Sequence, residues 1–501
     1  MALSTISQLL LATPFGAPLL PLTEILLPRL LELGQVIRAF QTGAITPSTM
    51  QQFELALQRV LREIGRVIVE WVVNRLEPQN PDLADAVIAF DNNLYKRRTH
   101  SPRRYGIGTL FGVIALWRIR YEPWDAGVGL VCIFPLEMRL GIVADKATPA
   151  LASRIGVWTA QYTQETVRSL LHTDHGVAWS VGTLREVVAD LSEHLAPLSQ
   201  AARAAKVLTL LDQAERSQGP HRPTLSIGRD GIFVPITQDT KYREAATATV
   251  AVLDRNGKRL GTIYLGHMPE SGQGTLSQQL TELVHDVLMV WQGPLPRLQY
   301  VTDAGDHPTA YFETVLRPML HPRTGAPLSW QWVVDYYHAC LYITKMAEAL
   351  FGKDTREAVS WAAKMRRWLR DKKHGIFRVL HSAAAHASRM EWKPEQQQAF
   401  AAAYAYLRNR MPFMNYSRYR RCGMAIGSGI TEAACKTLFT QRFKQSGMKW
   451  SWEGGQRVVE LRTLWLSGLW AGVFQTYLNQ LPQPQVWTRK AVSAHSHEMA
   501  A

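Results

Sequence analysis

The sequence contains little cysteine, and its four cysteines form no Cys-x-x-Cys pair. This spacing excludes the usual patterns of zinc ribbons and disulfide scaffolds, and reduced thiols in a cytosol are the simplest account of them. The chain also has no run of about 18 residues without charges and helix breakers, which argues against a membrane span. Its apolar first residues lack a basic leader, so we expect no signal peptide. The cysteines are Cys132, Cys340, Cys422 and Cys435.

Length and charge indicate a multidomain protein with a polyanionic partner. At roughly 100 to 200 residues per domain, a chain of 501 residues forms about two to four domains. Hydrophobic residues make up 47% of the chain and charged residues 19%, which excludes a largely disordered protein. The 56 Lys and Arg residues outnumber the 41 Asp and Glu residues, so the net charge is +15. Nucleic acid is the leading candidate partner for such a surface.

The first region, residues 1–95, is predicted to be helical. Thr46 and Pro47 form a cap followed by a first-turn proline, and apolar residues then recur with helical spacing as far as Trp71. We expect this helix to stop near Pro78. Such an apolar stripe forms either part of a core or a seam between subunits.

Residues 96–145 are predicted to form a small basic β-unit. From Lys96 to Arg120 the chain carries basic residues and no carboxylate, and residues 109–121 are β-rich and punctuated by glycine. Two interpretations of Arg103 and Arg104 stay open, a solvated basic face and a surface that contacts DNA phosphates.

The pattern of helix starts and breaks in residues 146–205 predicts several short helices. Thr183, with Glu186 three residues later, predicts a capping box that opens a helix after the break at Gly176. Two helices joined by a glycine-containing turn are typical of a helix-turn-helix, whose second helix lies in the major groove of DNA. Thr183 and Arg185 are then candidate DNA contacts, although any helical bundle gives the same local signs.

Residues 220–480 are predicted to form an α/β domain, with a C-terminal tail at residues 481–501. The predicted order is strand, hairpin, helix, strand, helix, strand, which is typical of a mixed sheet. Asn256-Gly257 predicts a type I′ hairpin turn. The expected strands are 224–227, 246–253, 260–265, 298–302 and 330–334, and the expected helices are 276–291 and 310–320.

Three aspartates stand where predicted strands end, namely Asp230, Asp303 and Asp335. Functional groups converge at adjacent strand ends of an open sheet. A fourth acid, Glu432, opens a predicted helix, and it is the single acid among nine basic residues between Arg408 and Lys449. A lone carboxylate in such surroundings is either a salt-bridge partner or a metal ligand on a phosphate-binding surface.

Phosphodiester chemistry gives a reason for acids inside a basic region. Two divalent ions roughly 3.5 to 4 Å apart can activate an attacking oxygen and stabilise a leaving one. Mg²⁺ prefers carboxylate and water oxygens, so about three acids on rigid elements would hold it, with cations around them binding the rest of the strand.

The C-terminal segment that contains Glu432 resembles the signature of bacterial insertion-sequence transposases of the ISKra type, which belong with the Mutator-like DDE enzymes. Earlier landmarks agree with this, since Asp335-Tyr336-Tyr337-His338 is similar to the Asp-x-x-His element of those enzymes. Relatives commonly carry a cysteine-rich segment before the helix-turn-helix, whereas residues 121–136 contain only Cys132. The signature residues are 427–437, 441–442, 446–450 and 461–462, with Asp230-Gly231, Val234-Pro235 and Asp303-Ala304-Gly305 upstream.

Carried over position by position, the resemblance implies Asp230, Asp303 and Glu432 as a metal-binding triad for Mg²⁺, with Mn²⁺ as a substitute. Asp335 and His338 would stand beside this triad as further catalytic residues. His338 would either touch the phosphate or hold a helix start. Asp306 is the alternative to Asp303, because it lies just past the same strand end. Independently of the resemblance, the count of basic residues around Glu432 predicts as DNA contacts Arg420, Arg421, Lys436, Arg442, Lys444 and Lys449.

The implied fold class is a multidomain α+β or α/β protein. An RNase H-like mixed sheet, with a helical insertion at about 340–425, would follow the helical and helix-turn-helix regions. The implied function is a DNA transposase that binds terminal inverted repeats and performs Mg²⁺-dependent cleavage and strand transfer. An RNase H-like nuclease or resolvase without strand transfer, and a domesticated DNA-binding protein without catalysis, are the alternatives.

The expected partners are double-stranded DNA, both terminal inverted repeats and target, and a second copy of the chain, because two DNA ends must be held together in a homodimer or larger oligomer. No membrane partner is expected. The expected location is the bacterial cytoplasm, in association with the nucleoid.

Overall fold

The computed structural model describes residues 19–78, 80–98, 103–125, 131–237, 239 and 241–486. The chain divides into two compact units. The first unit combines the residues up to His194 with those from Phe474 onward, and the second runs from Leu195 to Val473.

The first unit begins with two helices, α1 (Leu20–Thr42) and α2 (Pro47–Val73). The predicted start of α2 is confirmed, because the Thr46 hydroxyl accepts a hydrogen bond from the Thr49 backbone N–H at 3.2 Å and Pro47 occupies the first turn. The helix ends earlier than the expected Pro78. Residues 1–95 were predicted to be helical, and this prediction is wrong near residue 95, where the structure has two strands. These strands are β1 (Val87–Phe90) and β2 (Asn93–Arg97). The first 18 residues of the chain lie outside the described part.

A β-rich segment follows, as predicted. Strands β3 (Arg103–Thr109) and β4 (Gly112–Arg118) pair in an antiparallel hairpin. Strand β5 (Tyr121–Pro123) joins a four-stranded sheet of order β11-β1-β2-β5, in which β11 is Gln485–Val486. The short helix α3 (Pro135–Leu140) packs its Leu136 into the same core as buried side chains of the hairpin.

The prediction that residues 146–205 are helical is confirmed, but the third helix is not short, because it has 36 residues and continues to Arg216. Gly176 ends the second helix in the left-handed region, at φ +65°. The predicted capping residue is wrong, because the third helix opens at Val181 and the Ser180 hydroxyl accepts from the Thr183 backbone N–H at 3.1 Å. Thr183 therefore lies inside the first turn. The three helices are α4 (Pro149–Gln161), α5 (Gln164–His175) and α6 (Val181–Arg216), and the last continues into the second unit.

The second unit contains a five-stranded mixed sheet of order β10-β9-β6-β7-β8. The first three strands along the chain pair antiparallel, and β9 and β10 extend the sheet in parallel on the other side of β6. The predicted mixed sheet is therefore confirmed. Its strands are β6 (Thr224–Val234), β7 (Arg243–Leu253), β8 (Arg259–His267), β9 (Arg297–Thr302) and β10 (Trp330–Val334).

The turn between β7 and β8 differs from the predicted type I′ turn. A type I′ turn needs positive φ at both central residues, but Gly257 has φ +79° while Asn256 is not among the residues with positive φ. The Gly257 N–H donates to the Asp254 carbonyl at 3.0 Å. This pattern is that of a type I turn followed by a glycine bulge, so the hairpin prediction is confirmed and its turn type is corrected.

Helices fill the rest of the second unit. The sheet strands are connected by α7 (Gly274–Val290) and α8 (Asp306–Tyr311), and α8 continues in a π-helical turn to Leu316, earlier than the predicted 310–320. The helical segment expected at about 340–425 comprises α9 (Tyr336–Phe351), α10 (Arg356–Asp371), α11 (Gly375–Ala387), α12 (Pro394–Asn409) and α13 (Tyr416–Arg421). The remaining helices are α14 (Gly429–Cys435), α15 (Gln441–Phe443), α16 (Trp452–Leu466) and α17 (Trp470–Gln480).

Among the described helices, none combines the length and the apolar character that crossing a membrane requires.

Candidate active site

Two of the predicted acids lie level with each other, just beyond the last parallel pairing of β6 with β9. Gly228 of β6 pairs with Val301 of β9, so two residues further along Asp230 is level with Asp303. Neighbouring strands lie about 4.8 Å apart, and laterally paired residues share a face of the sheet. Asp230 was predicted to follow its strand, but it lies inside β6, which continues to Val234.

Asp335 is level with these two acids, one residue beyond the pair formed by Val334 and Thr302. It differs from them because it is buried, with 0% of its surface exposed. Its carboxylate caps α9 by accepting from the His338 backbone N–H at 2.5 Å. The other carboxylate oxygen accepts from the backbone N–H and the hydroxyl of Ser428. Asp335 therefore joins the end of β10 to the loop that precedes α14.

Glu432 reaches the site because α14 packs closely against β6 and β7. The Thr431 hydroxyl lies 2.8 Å from that of Thr249 on β7. A Cβ atom at Gly228 of β6 would lie only 1.9 Å from the same Thr431 hydroxyl, so glycine is required where the helix crosses the strand. Glu432, the next residue, is exposed.

Ser428 connects two of the acids. Its hydroxyl lies 2.8 Å from a carboxylate oxygen of Asp335 and 2.9 Å from one of Glu432. A serine hydroxyl has one proton to donate, so it satisfies one carboxylate at a time and leaves the other open to a different donor or a cation. Ser428 therefore holds Glu432 near the edge of the sheet.

The environment of Asp230 disfavours negative charge. Burial raises the pKa of Asp230 to about 6, and the nearby charges of Asp303 and, to a smaller extent, Glu432 act in the same direction. The Cys435 thiol donates to Asp230 over 3.4 Å, and burial followed by the Asp230 charge raises the pKa of that thiol. Three acids are therefore close enough to influence one another electrostatically.

The donor chemistry of this cluster fits a hard divalent cation, which favours carboxylate oxygens. Within the described ranges, no three His, Cys, Asp or Glu side chains stand in an arrangement that could already hold a metal ion. Because burial, and after it the charge of Asp303, raises the pKa of Asp230, a cation bound there would stabilise the charged carboxylate. Asp230 and Asp303 lie level with each other, while Glu432 is turned toward Ser428.

The geometry favours Asp303 over its alternative. Asp306 is exposed in the first turn of α8, and the Asp303 charge, rather than that of Asp306, contributes to the raised pKa of Asp230. Asp303 also accepts a hydrogen bond from the Gly305 N–H at 2.9 Å, which fixes its side chain beside the strand end.

Tyr406 of α12 and Arg410, the residue that follows this helix, support the Asp303 loop, and the sequence analysis did not predict this role. The Tyr406 hydroxyl donates to the Asp303 carbonyl at 2.6 Å, and Arg410 donates to the Ala304 carbonyl at 2.8 Å. Ala304 needs such support because it adopts a left-handed φ of +62°. The spacing of Tyr406 and Arg410, one helical turn apart, shows that they share a face but gives no sign of what they contact.

His338 lies against aromatic rings rather than against a carboxylate. Its ring centroid is 5.4 Å from that of Tyr342 and 5.8 Å from that of Tyr406, and these two tyrosines stack on each other at 3.6 Å. His338 is half-buried. Its ring therefore packs against Tyr406, which contacts the Asp303 loop. Its backbone N–H donates to the Asp335 carboxylate that caps α9.

The cations predicted near Glu432 divide into exposed and buried ones. Arg442 needs correction as a DNA contact, because it is 1% exposed and lies over the Trp450 ring at 4.8 Å. Burial also lowers the pKa of Arg442 to about 10. Arg420 is exposed and pairs with Asp371 at 2.5 Å. The other exposed members of the predicted set are Arg421, Lys436, Lys444 and Lys449.

The predicted DNA contacts of the first unit lie on β3 and at the start of α6. Arg185 is exposed on α6 and donates to the Gln164 side chain at 3.1 Å, which ties the starts of α5 and α6 together. Thr183 is half-buried. Arg103 and Arg104 lie on β3, opposite Arg118 and Trp117.

Compared with known proteins, the chain matches no protein-family model and no curated protein.

Proposed function

We propose that the protein is a DNA transposase of the DDE class, which binds terminal inverted repeats and carries out Mg²⁺-dependent strand cleavage and strand transfer. The observation that carries the proposal is the register that sets Asp230 level with Asp303, two residues beyond the last parallel pair of β6 and β9. The α14 helix, which bears Glu432, is packed against β6 and β7 beside that pair.

The topology of the second unit supports an RNase H-like catalytic domain. Three antiparallel strands are followed by a helix, a parallel strand, a second helix and another parallel strand. The helical segment from α9 to α13 then lies between β10 and the glutamate helix. This is the element order that the sequence resemblance implies, including an insertion ahead of Glu432.

In this proposal each acid has a distinct task. Asp230, Asp303 and Glu432 would hold the metal, and a bound Mg²⁺ would activate the attacking oxygen and stabilise the leaving oxygen. Asp335 acts through Ser428, because its buried carboxylate fixes the hydroxyl that contacts Glu432. Exposed cations such as Lys436 would bind the DNA backbone near the reacting phosphate.

The N-terminal helices are a candidate seam for the expected dimer. Helices α1 and α2 contact each other through stacked Phe40 and Phe53, with centroids 4.5 Å apart. Several large apolar side chains remain exposed on this hairpin, among them Leu31 and Leu55 at 60% each. A second copy of the chain would cover such surface in an assembly that holds two DNA ends.

The test is cleavage of DNA that carries the inverted repeats flanking the coding region. Asp230→Asn, Asp303→Asn and Glu432→Gln should each abolish Mg²⁺-dependent cleavage and leave binding of the ends largely intact, while the matched control Asp306→Asn retains cleavage. Full cleavage by any of the first three removes that residue from the site.

Pre-cut ends supplied with a target duplex distinguish the alternatives. A transposase joins the ends to the target, and an RNase H-like nuclease or resolvase does not. A domesticated DNA-binding protein would bind the ends and show no metal-dependent reaction in either assay.

A further inference from the structure

A cavity of about 330 Å³ lies beyond the end of β6 in the second unit. Its walls come from two parts far apart along the chain, namely residues 235, 236, 239, 241 and 242, and residues 444–449. Both were singled out in the sequence, as Val234-Pro235 and as Ser446-Gly447-Met448-Lys449-Trp450, and neither has a role in the acid cluster.

The two walls are fixed to each other by backbone hydrogen bonds. The Trp450 N–H donates to the Pro235 carbonyl at 3.2 Å, and the Thr237 N–H donates to the Trp450 carbonyl at 2.9 Å. The Trp450 indole N–H donates to the Phe443 carbonyl at 3.1 Å, and both rings belong to the buried core beneath. The cavity therefore has a preformed floor, as small-molecule sites usually do.

The cavity is basic. Lys241, Lys444 and Lys449 line it, and in the described part of the chain none of these three ammonium groups makes an ion pair. The one acid in the lining, Asp239, pairs with Arg243 at 2.5 Å. A net positive wall of this kind attracts a polyanion.

An aromatic ring also lines the cavity. Tyr242 is 58% exposed, although a large side chain of this kind is more often covered. Its ring faces the Lys444 ammonium, 6.0 Å from the ring centroid. Cations that follow a backbone, combined with an exposed aromatic ring, are how proteins bind single-stranded nucleic acid, because each base stacks on the ring.

The cavity lies on the path that leads away from the acids. Pro235 follows the end of β6 and is five residues beyond Asp230, which is about 16 Å at roughly 3.3 Å per residue. Ligand pockets of roughly 300–1,000 Å³ enclose a single small molecule, so a cavity of about 330 Å³ suits one nucleotide rather than a duplex.

We propose that this cavity binds an unpaired nucleotide of the DNA strand that leaves the catalytic cluster. The base stacks on Tyr242, and Lys444 and Lys449 contact the adjoining phosphates. This inference rests on the proposed function for the identity of the strand, whereas the binding chemistry depends only on the cavity.

The experiment measures binding of the full-length protein to fluorescein-labelled oligothymidylate of 12 nucleotides and to a 12-base-pair duplex by anisotropy. EDTA is present throughout, so no cleavage takes place. The variants are Tyr242→Ala, Tyr242→Phe and the double substitution Lys444→Gln with Lys449→Gln. The matched control is Lys258→Gln, since Lys258 is an exposed lysine at the opposite end of β7.

Tyr242→Ala should weaken binding of the single strand roughly 5- to 150-fold, the loss expected for one stacked base, and Tyr242→Phe should retain it. The double lysine variant should reduce the slope of log K against log salt by about 1.4, which corresponds to two phosphates of a single strand at roughly 0.7 each. Lys258→Gln should change neither quantity.

Unchanged affinity in Tyr242→Ala together with an unchanged salt slope in the lysine variant would overturn the proposal. Equal losses for the single strand and the duplex would also overturn it, because they indicate a duplex contact. A failure of the proposed transposase function is distinguishable, because cleavage by the acid variants is measured separately from this binding.

Discussion

Replacing Asp230 by asparagine should stabilise the second unit in the absence of metal, even though it removes a residue proposed for catalysis. The reason is that burial and the Asp303 charge raise the pKa of Asp230 from its ordinary 3.8 to about 6. The charged form is therefore the unfavourable one in the folded protein. Asparagine keeps the oxygen that accepts from the Gly231 N–H at 2.8 Å and carries no charge.

The magnitude follows from proton linkage. Between about pH 4 and pH 6 the folded protein holds a proton on Asp230 that the unfolded chain has lost, so the free energy of unfolding falls as pH rises through this window. The full difference, from 3.8 to about 6 at 1.36 kcal/mol per pKa unit, is about 3 kcal/mol above pH 6. With a urea m-value of about 3 kcal/mol/M, this is about 1 M in the unfolding midpoint.

The assay is urea unfolding of wild type, Asp230→Asn and the control Asp306→Asn in EDTA, at pH 4 and pH 8. Asp230→Asn should have a higher midpoint than wild type at pH 8 and nearly the same midpoint at pH 4, while the exposed Asp306→Asn follows wild type at both. Adding Mg²⁺ at pH 8 should raise the wild-type midpoint more than that of Asp230→Asn. A wild-type midpoint that equals or exceeds that of Asp230→Asn at pH 8 would refute the reasoning that burial and the Asp303 charge disfavour the ionised carboxylate.

Three further predictions follow from the same packing. Ser428→Ala should lower end cleavage at least tenfold and stability by about 1–3 kcal/mol, because a buried carboxylate loses a donor; wild-type cleavage would exclude the positioning role. Gly228→Ala should lower the unfolding midpoint and cleavage together, since its Cβ would lie 1.9 Å from a hydroxyl of α14, whereas Gly274→Ala, with nothing within 4 Å, should change neither. Arg442→Met should change stability without altering the salt dependence of DNA binding, while Lys436→Gln should reduce that dependence by about 0.9 for one duplex phosphate.

The sequence predicted the elements that depend on local patterns. Runs of β-branched residues, a glycine in the β7–β8 turn and a proline after Thr46 each specify a strand, a hairpin or a helix start within a few residues. For the same reason the strand-end positions of Asp303 and Asp335 were foreseeable. Adjacent parallel strands then place functional groups at one edge of the sheet.

Other features could not be predicted, because they depend on which of two similar residues caps a helix, on which face of a helix is buried, or on contacts between residues far apart in the sequence. Ser180 and Thr183 are both good caps three residues apart, and the pattern alone did not reveal which one the helix uses. Charge counting around Glu432 placed Arg442 among the DNA contacts, because a count does not show which face of a helix is buried. The link from Asp335 to Ser428 spans 93 residues and leaves no local signal.

The most direct test of the central claim, that three separate acids hold one metal site, is Mn²⁺ binding followed by electron paramagnetic resonance. Wild type and Asp306→Asn should bind Mn²⁺ with the same stoichiometry and affinity, and Asp230→Asn, Asp303→Asn and Glu432→Gln should each lose tight binding at that site. Mn²⁺ binding that none of these three substitutions alters would contradict the account.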